Sequence, residues 1–140
     1  MNGQIKLWQV DSSLSEVISF DKQNRAITDI VWNPHTGTSF TSVGEDCDII
    51  IWDNRSFEPS IIEKESICSL SIAHNPSKEF EFVVGKEDGS IAIKDERKLN
   101  ESINTSILHK DAVYSVSWTD NNYICSGGDD GVLSICDESL

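Results

Sequence analysis

One short sequence pattern recurs four times along this chain of 140 residues and sets a period for the whole of it. The copies begin at residues 2, 46, 88 and 130, and they read NGQIKLWQ, DCDIIIWD, DGSIAIKD and DGVLSICD. Each begins with Asn or Asp and continues with alternating apolar positions, which is typical of a short β-strand. A period of about 42 residues predicts stacked copies of one small structural unit.

Three more strand-like segments lie between successive copies, always in the same order. One ends in glycine, at Gly44, Gly85 or Gly128. Another shares an apolar spacing, which we align as Ile27, Ile30 and Trp32, as Ile67, Leu70 and Ile72, and as Val113, Val116 and Trp118. The third is a weaker strand after each copy. Helical periodicity is nearly absent, so the sequence predicts an all-β chain with four short strands per repeat. That is the period of a β-propeller blade.

Two segments carry a resemblance to a known family: SVGEDCDIIIWD at 42–53, and HKDAVYSVSW with SGGDDGVLSICD at 109–137. The chain resembles the WD-repeat β-propellers. The resemblance implies repeats over 14–53, 54–95 and 96–137, with 1–13 as the end of another blade. This amounts to about three four-stranded blades plus one strand. Because propellers close with about four to eight blades, we expect a fragment of a larger propeller, and the alternative is a chain that closes with another copy or a partner chain.

WD-repeat blades carry a buried chain of His, Ser or Thr, Asp and Trp, and the resemblance assigns its members here by position. The structural residues assigned are Ser42, Asp46, Trp52, Asp88, His109, Ser126 and Asp130. No repeat is complete, since Gln23 or a neighbour stands at a His position and Val84, Lys94 and Cys136 replace a Ser and two Trp. Such a network rigidifies a fold when all members are satisfied. We also expect Gly89 and Gly131 to supply tight turns.

The charge of the chain indicates the kind of partner. It has 24 acidic and 11 basic residues, a net charge of -13, which argues against direct binding to nucleic acid. An acidic protein favours a basic protein partner, although the same charge also serves solubility. Propellers usually bind through their top face, which is built by the loops between successive blades and by the turns between the two central strands of each blade. This implies the candidate partner-binding residues Glu45, Asp48, Lys86, Glu87 and Asp129.

Enzymatic and metal chemistry find little support in the sequence. The three histidines lie at unrelated positions, and His109, Ser126 and Asp130 form a set that a propeller would bury as a strut. No metal-ligand spacing is present, so no cofactor or metal is predicted. No apolar run approaches the ~20 residues of a membrane span. The four cysteines form no C-x-x-C pair. The N-terminal segment MNGQIKLWQVD does not have the pattern of a secretory signal, so we expect reduced thiols and a cytoplasmic or nuclear location.

Two finer resemblances suggest different partners. EDCDIIIWDNRSFEPS and the repeats after it resemble the WD-repeat subunits of the methylosome, which also lack the Trp replaced here by Lys94. That resemblance implies a type II protein arginine methyltransferase as partner, with basic histone and Sm substrates. The alternative is Trp52-Asp53-Asn54-Arg55, which is similar to the W-D-x-R box of cullin-4 ubiquitin ligase receptors. A local salt bridge from Arg55 to Asp53 or Glu58 is a purely structural explanation of this box.

Overall fold

The computed structural model describes residues 3–56 and 58–140, so the initial Asn2 of the first repeat copy lies outside the described residues. Within these residues the chain folds into thirteen β-strands and turns, so the predicted all-β class is confirmed. The strands are β1 (Gly3–Val10), β2 (Leu14–Gln23), β3 (Ile27–Trp32), β4 (Ser39–Gly44), β5 (Asp48–Asp53), β6 (Glu58–Lys64), β7 (Ser69–His74), β8 (Glu81–Lys86), β9 (Ser90–Asp95), β10 (Ser102–Ile107), β11 (Val113–Trp118), β12 (Tyr123–Gly128) and β13 (Leu133–Asp137). No helix in the described ranges is long and apolar enough to cross a membrane.

The strands form four antiparallel sheets in which sequence neighbours pair, as expected for a partial propeller. The first blade is β1-β2, the second β3-β4-β5-β6, the third β7-β8-β9-β10, and the fourth β11-β12-β13. Sequence repeats and blades are therefore offset by one strand, because the first strand of each repeat closes the preceding sheet. We call the strands of a full blade a, b, c and d in chain order. The d–a loops and b–c turns form the upper rim, and the a–b turns and c–d loops form the lower rim.

The apolar core lies between the faces of successive blades. One cluster joins the second and third blades and includes Val43, Ile49 and Phe82. Another joins the third and fourth blades around Val83 and Ile91. The central strands of the third blade are buried on both faces because neighbouring sheets cover them. This explains why their sequences are nearly continuous apolar runs.

The strand register corrects two of the alignments made from sequence. Trp32, His74 and Trp118 are equivalent, because they pair with Phe40, Phe82 and Ile124 at the same place in each blade. The sequence alignment placed Ile72 at this position, two residues away. The glycine of the third blade was misplaced by one, since Lys86 is equivalent to Gly44 and Gly128. A shift of two residues keeps every side chain on its own face, so alternation alone cannot detect it.

The b–c turns require a left-handed backbone at one position. Gly89 has a φ of 85° and Gly131 a φ of 73°, as their predicted turn role requires. The equivalent residue of the second blade is Cys47, a non-glycine residue with a φ of 60°. An added Cβ at Gly89 would lie 2.2 Å from the main-chain oxygen of His109, whereas Gly131 has nothing within 4 Å. Glycine is thus needed at 89 for both conformation and space.

Candidate partner-binding rim

One polar side chain lies beneath the upper rim in each repeat, four residues before strand a begins. In the second blade this residue is Gln23, which is buried. The Ser42 hydroxyl donates to Gln23 Oε1 at 2.8 Å and accepts a hydrogen bond from Trp52 Nε1 at 2.9 Å. Gln23 Nε2 donates to Asp46 Oδ1 at 3.4 Å. The structure therefore brings the three predicted residues of this blade together around a glutamine in place of histidine.

In the fourth blade the same position holds His109. Its Nδ1 lies 3.1 Å from Asp130 Oδ1, and its Nε2 lies 2.8 Å from the Ser126 hydroxyl. Asp130 also accepts hydrogen bonds from the amides of Lys110 and Val132, each at 3.0 Å. These two amides, together with the weaker effect of His109, lower the pKa of Asp130 to about 2. The carboxylate therefore ties the b–c turn to the d–a loop.

The order Ser126-His109-Asp130 has the geometry of a hydrolase triad, but not its accessibility. Ser126 is 2% exposed and His109 is 3% exposed, so a substrate cannot reach the hydroxyl. The Cys136 thiol at the Trp position hydrogen-bonds weakly to the Ile124 carbonyl at 3.8 Å and does not extend the chain. In the described structure the set acts as a buried strut between the loop and the sheet.

The third blade has a buried carboxylate–lysine ion pair at the position where the other two blades have an amide or an imidazole side chain. Glu65 occupies the d–a position, and its Oε1 lies 2.8 Å from Lys94 Nζ and 3.0 Å from Lys86 Nζ. Its Oε2 accepts from the Ser69 hydroxyl at 2.7 Å, and Lys94 also donates to the Leu99 carbonyl at 2.8 Å. The Glu65 and Lys94 side chains are only 8% and 4% exposed. Burial raises the pKa of Glu65, but these donors outweigh it and the net pKa is lowered.

This ion pair changes the roles of two predicted residues. Asp88 was assigned to the network, but it caps its own turn by accepting from the Ser90 amide at 3.0 Å and hydroxyl at 2.6 Å. No hydrogen bond in the described structure joins it to Glu65, because two carboxylates offer no proton to share. Lys86 was assigned to partner binding, but Glu65 holds its ammonium group and its side chain is only 13% exposed. Glu65 was not predicted from the sequence, although Lys94 in a buried strand required a nearby anion.

Three exposed acidic residues occupy equivalent places on the upper rim, one in each of three successive blades. We call Glu45, Glu87 and Asp129 the acidic arc. Their amides donate to carbonyls of the neighbouring d–a loops: Glu45 to Ala26 at 2.9 Å, Glu87 to Cys68 at 3.0 Å, and Asp129 to Ala112 at 2.9 Å. The main chain of each acid is therefore fixed while its side chain is exposed, and Glu87 Oε1 also accepts a hydrogen bond from the Cys68 amide at 3.4 Å. Asp48, the other acidic candidate, is half-buried and pairs with Lys64 at 3.2 Å.

A disulfide crosses the upper rim between the second and third blades. It joins Cys47 of the b–c turn to Cys68 of the following d–a loop, which corrects the expectation of reduced thiols for this pair. Disulfides require close backbones, and 21 residues of separation gave no sign of that proximity. Cys125 and Cys136 are free and half-buried. Burial raises the pKa of the Cys136 thiol, and the Asp137 charge adds to the effect.

On the lower rim, Arg55 forms the local salt bridge that the structural explanation of its motif requires. Its Nε and Nη2 lie 3.0 and 2.6 Å from the two carboxylate oxygens of Asp53, and its side chain is 72% exposed. These hydrogen bonds lower the pKa of Asp53 to about 2. Arg97 repeats the geometry with Asp95 in the third blade, at 2.8 and 2.6 Å. Two exposed guanidinium groups therefore lie at equivalent places on adjacent blades.

The lower rim also carries a repeated contact between neighbouring blades. Asn33 of the second blade donates to Glu96 of the third at 3.3 Å, and Asn75 of the third donates to Glu138 of the fourth at 3.4 Å. Lys78 adds an ion pair to Glu138 at 2.9 Å. No cation is described beside Glu96, and burial raises its pKa to about 7.

His74 does not supply the missing charge. Its Nε2 lies 3.7 Å from Glu96 Oε1, but burial lowers the pKa of His74 to about 4, so the ring is neutral at pH 7. The contact is therefore not an ion pair. No group of three metal-ligating side chains occurs anywhere in the part of the chain that the structure describes.

Comparison with known proteins assigns the repeats to a family. The model of the WD domain, G-beta repeat, matches residues 14–53 and 100–137. A WD repeat-containing protein of Schizosaccharomyces pombe is 29% identical over 97% of this chain, which spans 39% of its length. The ribosome biogenesis protein WDR12 homolog of Anopheles gambiae is 26% identical over 94%, and this chain spans 31% of it.

The methylosome protein WDR77 of Xenopus laevis is similar at 23% identity over 95% of this chain, which spans 41% of that protein. The chain thus covers well under half the length of each of these relatives. Their identities differ by a few per cent only, so overall similarity does not select one of them as a guide to partners.

Proposed function

This chain belongs to the WD-repeat family, and we propose that it is a non-enzymatic interaction scaffold that binds a Lys- or Arg-rich segment of a partner protein along the acidic arc. WD-repeat proteins generally act as protein-interaction scaffolds. The observation that carries the proposal is the arc itself: three carboxylates stand at the same place on three successive blades, each exposed and each on a fixed main chain.

The physical properties of the arc set its mode of binding. The loop carbonyls already hold the amides of the arc, so binding orders little backbone. Exposed ion pairs contribute about 0.2–1 kcal/mol each and are screened by salt. Affinity therefore has to come from several basic residues bound together. The net charge of -13 also steers a cationic partner toward the chain.

The direct test is the salt dependence of binding to a histone-tail peptide. We expect fluorescence anisotropy to show binding that weakens steadily as salt rises, because the contacts are exposed charges. A peptide with its lysines acetylated is the matched control and should bind weakly at every salt concentration. Binding of the unmodified peptide that does not change with salt would contradict the proposal.

For the partner itself, we propose a type II protein arginine methyltransferase, with the chain forming part of a methylosome subunit that presents basic substrates. Support comes from the sequence around the Trp52 box, from Lys94 at the lost Trp position, and from similarity to WDR77. The tagged whole protein should retain the purified methyltransferase. Retention of ribosome assembly proteins instead, without the methyltransferase, would favour a function like that named for the WDR12 homolog.

A second candidate function is substrate reception for a cullin-4 ubiquitin ligase through the lower rim. The observation in its favour is the exposed Arg55, together with the same arrangement at Arg97. Arg55→Ala should then abolish pull-down of the ligase adaptor, and Lys98→Ala, an exposed lysine of the same rim, should not. Adaptor retention that is unaffected by Arg55→Ala would leave the Asp53 pair as a purely structural feature.

A further inference from the structure

At the positions of the two bonded cysteines, the other blades have residues other than cysteine. Cys47 stands where the third and fourth blades have Gly89 and Gly131, and Cys68 stands where the second and fourth have Ala26 and Ala112. The corresponding positions between the third and fourth blades are thus held by glycine and alanine. Among the junctions between blades in residues 3–56 and 58–140, a cysteine pair lies across the one between the second and third blades.

Cys47 also keeps an unfavourable backbone. Its φ of 60° lies in the left-handed region, which costs an L-residue other than glycine about 1 kcal/mol or more. Glycine satisfies the same turn in two other blades at no such cost. Local strain of this kind points to a role for the side chain. Here the side chain bonds to Cys68, so the strain and the disulfide are two separate observations on one position.

The disulfide lies within the acidic arc. Glu45 is two residues before Cys47, and its carbonyl is 4.0 Å from Cys68 Sγ. Glu87 donates its amide to the Cys68 carbonyl at 3.0 Å, and its side chain accepts from the Cys68 amide at 3.4 Å. The covalent bond therefore joins the turn that carries Glu45 to the loop that holds Glu87. Breaking it would leave only hydrogen bonds, such as that from the Glu65 amide to the Cys47 carbonyl at 2.9 Å, between the two segments, so the distance between these carboxylates would be less tightly fixed.

We propose that Cys47 and Cys68 form a reversible redox switch that sets the spacing of Glu45 and Glu87, so that the oxidised chain binds a basic partner more tightly than the reduced chain. This inference rests on the proposed function of the acidic arc. Pre-organisation is the physical reason, since a fixed arc loses less freedom when it binds. Asp129 lies outside the linked pair and provides an internal comparison.

The redox partner is a small disulfide such as oxidised glutathione. The thiolate of Cys47, the more exposed of the two cysteines, attacks one sulfur of oxidised glutathione and releases a glutathione thiolate. The Cys68 thiolate then attacks the mixed disulfide and releases the second glutathione. The protein dithiol loses two electrons and two protons, and one glutathione disulfide becomes two glutathione thiols. Reduction is the reverse reaction.

The first part of the test establishes the bond and its effect on affinity. The full chain is equilibrated in glutathione buffers from reducing to oxidising, and binding of a labelled oligolysine peptide is measured. Trypsin cuts after Arg25, Arg55, Lys64 and Lys78, so the disulfide joins peptide 26–55 to peptide 65–78 for mass spectrometry. We expect the linked peptides under oxidising conditions and an affinity about 3- to 10-fold higher than in the reduced chain.

Cys47→Gly and Cys68→Ala are the matched variants, because each installs the residue that other blades already have. Both should fold and bind the peptide with an affinity that ignores the redox buffer. An equal affinity of the oxidised and reduced wild-type chains, with the linked peptides present, would overturn the inference. Failure of the linked peptides to form in oxidised glutathione would also overturn it.

Hydrogen exchange separates this inference from the proposed function. Oxidation should slow exchange of the Glu65 amide, bonded to the Cys47 carbonyl, and of the Glu87 amide, bonded to the Cys68 carbonyl. The Asp129 amide should not respond. If oligolysine fails to bind in any state, the proposed function is lost and exchange alone decides on the switch. Unchanged exchange at Glu65 and Glu87 on oxidation would then reject it.

Discussion

Two junctions use the same backbone contacts with different side chains. We call the junction between the second and third blades the first junction, and the junction between the third and fourth blades the second junction. On the upper rim the first junction has the Cys47–Cys68 disulfide, and the second junction has glycine and alanine at the equivalent positions. Below the rim the first has a buried ion pair at Glu65, and the second has a hydrogen-bonded histidine, His109. On the lower rim a lysine pairs with Glu138 at the second junction, and no equivalent lysine is described beside Glu96 at the first junction.

The difference shows which parts of a repeat are fixed by geometry and which can vary. The main-chain bonds from the acidic arc to the d–a loops recur in all three blades. The side chains beneath them differ in charge, size and chemistry. Geometry therefore specifies a polar group at each d–a position, but it does not specify which one. The first junction has accumulated ionisable and oxidisable groups, so pH and redox conditions should affect it more than the second.

The largest expected effect concerns the glycine turn of the second junction. Gly89→Ala should destabilise the chain by about 4 kcal/mol or prevent folding, because its Cβ would overlap the His109 oxygen and the backbone is left-handed. Chemical denaturation would measure the loss. Gly131→Ala is the control, with the same kind of φ but no neighbour within 4 Å, and should cost only about 1 kcal/mol. Equal losses would show that space at residue 89 is unimportant.

Removing the anion of the first junction should have the next largest effect. Glu65→Gln leaves Lys94 charged and buried, and should cost about 3 kcal/mol at pH 7. The pKa of Glu65 is lowered in the folded chain, so its contribution is present above pH 4.5 and is lost as pH falls through the lowered value. The difference between wild type and variant should therefore shrink in acid. Glu45→Gln, on the exposed arc, is the control, and a similar loss there would contradict the special role of Glu65.

Replacement of the two adjacent aspartates in the b–c turn of the fourth blade should have different effects on stability. Asp130→Ala removes the acceptor of the Lys110 and Val132 amides and of His109. Its melting temperature should fall by several degrees. Asp129→Ala changes an exposed side chain and should leave the melting temperature nearly unchanged. Thermal unfolding followed by circular dichroism makes the comparison, and equal melting points would refute it.

The smallest expected effect is a pH dependence at the lower rim of the first junction. The pKa of Glu96 is raised to about 7 in the folded chain, so its favourable contribution is complete below pH 4.5 and is lost as pH rises through about 7. Because solvent screens this partly exposed carboxyl group, Glu96→Gln should stabilise the chain by only about 1 kcal/mol at pH 8 and have little effect at pH 4. Denaturation at the two pH values measures this.

A second variant sharpens the test by copying the second junction into the first. Thr36 is equivalent to Lys78, so Thr36→Lys should place a cation near Glu96 and lower its pKa. Stability at pH 8 should then rise toward that of Glu96→Gln. A stability profile with the same pH dependence in Thr36→Lys and wild type would show that a lysine at this position does not reach Glu96.

The sequence predicted the parts of this fold that repeat. The period, the all-β class and the turn roles of Gly89 and Gly131 follow from alternation and from recurrent turn residues, which are local properties of the chain. The equivalence of His74 with Trp32 and Trp118 could not be predicted from the sequence, because a shift of two residues leaves the alternation of side chains intact. Period alone therefore locates strands more reliably than it aligns them.

The groups that the sequence analysis missed are those that depend on contacts between blades. Glu65 has no motif of its own and becomes intelligible only beside Lys94 and Lys86. The Cys47–Cys68 bond depends on two backbones that meet across a junction. The candidate acids Glu45, Glu87 and Asp129 were predicted from their place in the repeat. The main-chain hydrogen bonds that they share could not be predicted from the sequence and are seen only in the structure. Partner binding by these acids stays a prediction.

The acidic arc is the centre of the functional proposal, and charge removal tests it most directly. The triple variant Glu45→Gln, Glu87→Gln and Asp129→Asn is compared with Glu79→Gln, Glu101→Gln and Asp120→Asn, three exposed acids of the lower rim. Both variants change the net charge equally. Titration with a histone-tail peptide should show about tenfold weaker binding for the arc variant only, from three lost exposed ion pairs. Equal affinities of the two variants would contradict binding at the arc.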